Sequence, residues 1–296
     1  MSSRWLAVAG LICNAAVWGL SWIAFRSLGA DGIHPLWSTA IIYGLGGVAI
    51  AAVRPTALRE LAGQPGLAWI ALASGMTNAC FNTAVATGDV VRVVLLFYLM
   101  PVWAIVLARV ILREAITGSS LARMALGLVG ALLVLYQPGL GVPWPRDLAD
   151  WAGLVGGMFF ALNNILLKAR SESSETARAL SMFVGALVLC TLTGSGLHWA
   201  GAIAWPTMSI PSAITLATWS TLFLVANLGL QVGAARLPAS LTSVIMLTEV
   251  LVAAVSSWWA GVTALRPQDL IGGALILAAP WIAQWHRQGK PRKSVA

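Results

Sequence analysis

Ten long apolar stretches, separated by short gaps that hold almost all the charge, leave this chain few ways to fold. They run over roughly 5–25, 35–53, 67–87, 90–112, 121–136, 151–167, 177–199, 212–235, 238–261 and 268–285. At about 1.5 Å rise per helical residue, about 20 apolar residues cross a hydrocarbon core of about 30 Å. Fourteen of the 18 Lys and Arg fall in the gaps on the N-terminal side: Arg4, Arg54, Arg59, Arg109, Arg113, Arg123, Lys168, Arg170, Arg178, Arg236, Arg287, Lys290, Arg292 and Lys293. Only Arg26, Arg92, Arg146 and Arg266 fall on the other. Cytoplasmic loops retain Lys and Arg during insertion. The pattern predicts an all-α membrane protein of ten spans with both termini cytoplasmic.

Hydrophobic residues make up 59% of the chain and charged residues 9%, against about 25% charged in a soluble domain. Such a chain cannot cover itself with polar surface, so lipid must be its main solvent. Its basic residues are dispersed over one membrane face rather than clustered, which argues against nucleic acid as a partner. Cys13, Cys80 and Cys190 lie inside apolar stretches, with no CxxC spacing, and read as small packing residues. The first stretch is longer than a signal h-region and ends in Phe25-Arg26 rather than a small-residue cleavage site, so it should remain as a span. No gap exceeds about 20 residues, which excludes a soluble domain on either face.

Internal similarity divides the chain. The segment V-V-R-V-V-L-L-F-Y-L-M-P ending at Pro101 aligns with P-A-S-L-T-S-V-I-M-L-T-E ending at Glu249, an offset of 148. W-G-L-S-W-I-A-F-R from Trp18 resembles F-A-L-N-N-I-L-L-K from Phe160, at 142. Gly130–Leu135 pairs with Gly273–Ala278 in the same order. Each half then holds five spans, residues 1–146 and 147–287, followed by a basic tail at 288–296. Five is odd, so the second half enters the membrane upside down. Inverted repeats place a substrate site at their interface near the midplane, with alternating access by rocking of the halves.

These residues carry a family resemblance. Trp18-Gly19 late in span one, Pro101 within span four, Leu112-Arg113-Glu114 at its end, and the Gly-Ala-Leu of spans five and ten resemble the drug/metabolite transporter superfamily, with its two five-helix EamA-type repeats. The likeness covers nearly the whole length. It implies an EamA-type fold, and within the superfamily the chain is similar to the YddG-type exporters of aromatic amino acids. It departs from the family in its second half. Glu249, next to Thr248, stands where many second repeats carry a mid-helix proline, and Val262 where they carry a helix-ending Glu.

Glu249 is the one carboxylate deep in a span. A charged side chain at the bilayer centre costs about 2.5–3.5 kcal/mol on insertion scales, so a functional role is the default reading. It could bind a substrate ammonium or carry a proton; the alternative is a protonated Glu bonded to a neighbouring helix. Asn78 and Asn82 share a face of span three, Asn227 and Gln231 a face of span eight, and Asn14 and Trp18 a face of span one. Asn163 and Asn164 take the matching place on span six. Amides avoid lipid, so these faces point inward, to a wet cavity or a dry helix contact.

Most of the tryptophans stand at span ends, and Trp5, Trp37, Trp69, Trp151, Trp199, Trp258, Trp259, Trp281 and Trp285 read as an interfacial belt. Trp18, Trp22 and Trp103 lie deeper, with Phe97, Tyr98, Phe159 and Phe160. They suit an aromatic-lined chamber, although aromatics also fill helix interfaces. Pro101 should kink span four and free the carbonyl near Phe97. Arg92 is expected to snorkel to the outer interface.

The expected protein is a secondary transporter in a bacterial inner membrane. It would export small amphiphilic metabolites, with aromatic or hydrophobic amino acids preferred, through a cavity among spans 1, 3, 4, 6, 8 and 9. A monomer is expected, with a dimer as the alternative. No cofactor and no metal site is expected, since His34, His198 and His286 stand far apart. No phosphate-binding loop or Ser/His/Asp pattern points to an enzyme or an ATP-driven pump. Exporters of other metabolites or drugs are the main alternative, ahead of a channel or a membrane enzyme. A chamber without Lys or Arg disfavours phosphorylated cargo.

Overall fold

The computed structural model describes residues 3–136, 144–262, 264 and 266–281, and among them every regular element is helical. Trp285, His286, Arg287 and the basic tail at 288–296 lie outside the described residues, as does the side chain of Trp281. The first three expected spans are α1 (Ser3–Ala30), α2 (Pro35–Val53) and α4 (Gly66–Thr87), with a short α3 (Thr56–Gly63) between the last two. The fourth is split into α5 (Val90–Phe97) and α6 (Met100–Ile111); α7 (Gly118–Leu135) is the fifth. Then follow α8 (Leu148–Ala169), α9 (Glu175–Trp199) and α10 (Ile210–Arg236). The ninth is split into α11 (Ala239–Met246) and α12 (Thr248–Trp259), and α13 (Pro267–Ala278) runs into a 3-10 turn at Ala279–Trp281.

Polar gap residues start the helices. Asp89, Thr117, Asp147, Ser174 and Ser209 each accept a backbone N–H from the first turn of the helix that follows. Such caps satisfy donors that would otherwise enter lipid unpaired. Eight helical segments are long and apolar enough to cross a membrane, counting α5–α6 and α11–α12 as one each. Their outward faces carry Val48, Val110, Leu192, Ile214 and Val225 in the open, a surface that suits lipid rather than water. This is a multi-pass membrane protein.

The two remaining stretches differ for physical reasons. α13 is short, at 12 residues. α4 has 22 residues but buries Ser74, Thr77, Asn78 and Asn82, which dilute its hydropathy. Those polar residues face α8, α9 and α2, which pack on α4, while Trp69 and Leu72 keep an apolar face open.

The packing follows a two-fold pattern. α1 lies on α10 as α8 lies on α4; α2 meets α9, and α7 meets α13; α8 packs on α5–α6 as α1 packs on α11–α12. Small residues mark the crossings. A Cβ at Gly10 would lie 2.5 Å from the carbonyl oxygen of Gly229, and one at Gly229 would lie 2.6 Å from that of Gly10. Gly130 and Gly272 oppose each other in the same way. Lipid gives no hydrophobic drive between helices, so this close backbone approach supplies much of the attraction.

Substitution at the α1–α10 crossing is therefore costly. Gly229→Leu overfills it, with an expected loss of about 1–3 kcal/mol and a lower melting temperature in detergent. Gly29→Ala, where an added Cβ meets nothing within 4 Å, should leave the melting temperature unchanged. Equal behaviour of the two variants would refute the crossing as a determinant of stability.

Candidate functional site

Both split spans break at mid-length. Pro101 is the second residue of α6 and has no N–H for the Phe97 carbonyl, so the α-helical ladder stops three residues before the proline rather than at it. Tighter bonds carry the chain across, Leu99 N–H to Leu96 O at 3.2 Å and Val102 N–H to Leu99 O at 2.9 Å. The freed Phe97 carbonyl rests on Gly157 of α8, where a Cβ would collide with it. The second break falls at Leu247, 148 residues after Leu99, and contains no proline. There the Thr248 hydroxyl donates to Ile245 O at 2.7 Å, withdrawing that carbonyl from the ladder.

The breaks face each other. Tyr98, at the first, stands beside the Glu249 carboxyl at the second. Glu249 is the second residue of α12, so the amide end of that half-helix favours its negative charge. Its backbone carbonyl sits against Gly19, where a Cβ would lie 2.7 Å away. The Trp-Gly pair thus divides its labour: Gly19 admits α12, and Trp18 faces inward.

A cavity opens at this level, lined by Trp18, Thr77, Asn78, Phe81, Phe97, Phe160 and Glu249. Phe97 stands between Phe81 at 4.8 Å and Phe160 at 5.7 Å between ring centres. Trp18 meets Phe223 edge-on at 4.7 Å. The open space is about 30 Å³, enough for on the order of two waters. An amino acid would have to part the helices.

Five sequence-predicted residues therefore share one cavity: Trp18, Asn78, Phe97, Phe160 and Glu249, with Tyr98 behind Glu249. Pro101 shapes the wall without lining it. Trp22 points elsewhere, donating Nε1 to Ser256 at 3.0 Å, and Asn82 donates to Thr39 at 2.7 Å. The indole nitrogen of Trp103 is buried with no hydrogen-bond partner among the described residues. Asn14 and Asn164 are buried with unpartnered polar atoms.

Asn163, Asn227 and Gln231 form a separate cluster, all donating to the Met182 sulfur. It adjoins the cavity: Asn78 donates to Ser74 O, and the Ser74 hydroxyl to Met182 O at 3.2 Å. Thr77 and Phe81 were missed, although Phe81 stands three residues after Asn78 and four after Thr77, the spacings of a shared helical face.

Three expectations need correction. Arg92 does not snorkel. It is buried and pairs with Asp150 at 2.7 Å, and it also donates to Trp144 O, because the cap of α8 brings that carboxylate beside the cap of α5. Trp37 leaves the belt: it is 4% exposed, stacks on Trp205 and donates to Ala204 O. Arg178, expected in a gap, is buried within a helix as well. Arg178, one turn into α9, is 1% exposed. It donates Nε to Gln231 at 3.0 Å and Nη1 to the carbonyls of Arg170, Ser171 and Ser173.

Residues 5–136 match the sequence model of the EamA-like transporter family, a segment that ends where α7 ends. The match suggests a membrane transporter. One protein of solved crystal structure superposes with a TM-score of 0.77 over 97% of this chain and 99% of its own, at 17% identity; that likeness is one of fold. No curated protein matches.

Arg92 and Asp150 are expected to behave as a buried unit. Removing one partner, as in Arg92→Met, strands the other charge and should cost about 3–5 kcal/mol. The double variant Arg92→Met, Asp150→Leu should recover most of that loss. Thermal melting of the four proteins tests the pair, and additive losses would refute it.

Proposed function

We propose that this chain is a secondary transporter of the EamA type, exporting small amphiphilic metabolites, with aromatic or hydrophobic amino acids as the preferred cargo. One observation carries the reading: two broken helices meet at an aromatic cavity whose lone acid is Glu249. The aromatic rings take the apolar body of the solute, and Glu249 takes its ammonium. The family match over residues 5–136 supports transport, and its end at the last residues of the fifth span supports a division into two five-span halves. So do the two-fold packing pattern and the breaks 148 residues apart.

In this reading the halves rock about the cavity, opening it to one face at a time. The small volume fits a closed phase of that cycle. The charge bias of the loops orients the chain with both termini in the cytoplasm of a bacterial cell, as a monomer in the inner membrane.

Proteoliposomes carrying the purified chain should take up labelled Phe and Trp faster than Thr, Lys or Asp. Inactivity across that panel would overturn the amino-acid assignment. Glu249→Gln keeps the shape and removes the charge. A charge-assisted hydrogen bond is worth about 1.5–3 kcal/mol, so uptake should fall about ten- to a hundredfold. An unchanged rate would remove Glu249 from the mechanism.

A further inference from the structure

The cluster around Met182 is chemically mismatched. The amide nitrogens of Gln231, Asn227 and Asn163 approach its sulfur at 3.1, 3.5 and 3.8 Å, yet a thioether is a weak acceptor. Met182, Asn163, Asn227 and Gln231 are each at most 5% exposed, which sets them apart from bulk water. The Asn163 oxygen has no hydrogen-bond partner among the described residues.

The orientation of the donors is imposed. Arg178 keeps its proton and can only donate. It therefore turns the Gln231 oxygen toward itself, at 3.0 Å, and the Gln231 nitrogen inward. That nitrogen also donates to the Asn227 oxygen at 3.1 Å, which turns the Asn227 nitrogen inward as well. The two amide dipoles relay the positive charge of a buried guanidinium to one point, and a flexible methionine occupies that point. The cluster lies beside the cavity on two helices: Asn163 is one turn beyond Phe160 on α8, and Ser74 one turn before Asn78 on α4.

We propose that this cluster is a carboxylate-binding subsite, with Met182 as the plug that a substrate carboxylate displaces. The inference rests on the transport reading and extends it. Aromatic body, ammonium and carboxylate then have separate receptors: the ring-lined cavity, Glu249, and the amides backed by Arg178.

The test compares L-phenylalanine with phenethylamine, which keeps the ring and ammonium and lacks the carboxylate. In proteoliposomes of the wild-type chain, the half-saturating concentration should be about tenfold lower for the acid. Gln231→Met, nearly isosteric, should bring the two within about twofold by weakening the acid alone. Equal weakening of both solutes would mark a merely structural role and overturn the subsite. So would an unchanged preference.

A second measurement does not depend on transport. With Cys13, Cys80 and Cys190 replaced by Ala, Met182→Cys should react about tenfold faster with an anionic methanethiosulfonate than with a cationic one. Gln231→Met in that background should abolish the difference. Equal rates, a cationic preference or no reaction with either would overturn the proposal. Should the wild-type liposomes carry no amino acid, the transport reading falls, and the labelling rates alone decide the anion subsite.

Discussion

Hydrocarbon offers the backbone no hydrogen bonds, and the structure of this protein follows from that deficit. Every peptide group within the bilayer must find its partner inside the protein. Helices satisfy the demand automatically, so a break within a span is tolerable only where protein or a cavity covers it. The chain breaks two spans, and both breaks face the centre. At one, a proline removes a donor and a glycine of α8 shelters the orphaned carbonyl. At the other, a threonine hydroxyl supplies the missing bond. The central cavity exists because these two defects meet, and its acid stands at the end of a half-helix for the same reason.

The same deficit decides how the helices cohere. Burying an apolar side chain against another helix gains little over lipid, so attachment comes from close packing and from polar groups with nowhere else to go. The two devices occupy different places. The α1–α10 and α7–α13 crossings are glycine against glycine at their centres, with side-chain hydrogen bonds at their ends, from Ser212 to Asp31 and from Arg266 and Gln268 to carbonyls of α7. The α4, α8, α9 and α10 assembly is knotted by Ser74, Asn163, Asn227, Gln231 and Arg178. Should the halves rock, the glycine crossings offer the easier sliding surfaces, and the polar knot is what must be undone.

Much of this could be read from the residues. Apolar length set the spans, and the gap residues that interrupt them became the caps. Glu249, Trp18, Asn78, Phe97 and Phe160 were recognisable because each is costly or bulky at a depth that demands a reason. What escaped is equally instructive. Arg178 and Arg92 were placed with the loops because a charge near a span end has a cheap alternative in snorkelling, and only the fold shows that carbonyls or a carboxylate have captured it. Asn82 and Trp22 lie on the same helical faces as Asn78 and Trp18 but one turn further along, where Thr39 and Ser256 take their hydrogen bonds. Met182 carried no signal at all. A methionine in an apolar run looks like packing until the donors around it are known.

The polar cluster beside the cavity changes what kind of solute the protein can favour. With Glu249 as the sole charge, the centre would hold cations and amphiphilic amines as well as amino acids. A guanidinium relayed through two amides gives the opposite polarity one turn away. In the proposed reading, an acid in the aromatic cavity and a guanidinium relayed through amides beside it complement a zwitterion bearing an apolar side chain better than either ion alone. Neither charge faces lipid: Glu249 stands beside Tyr98 at the amide end of a half-helix, and Arg178 is held by three carbonyls and an amide. The centre can therefore be strongly polarised while the bundle stays insertable, a combination that a chain with 9% charged residues achieves only by burying a few of them with partners.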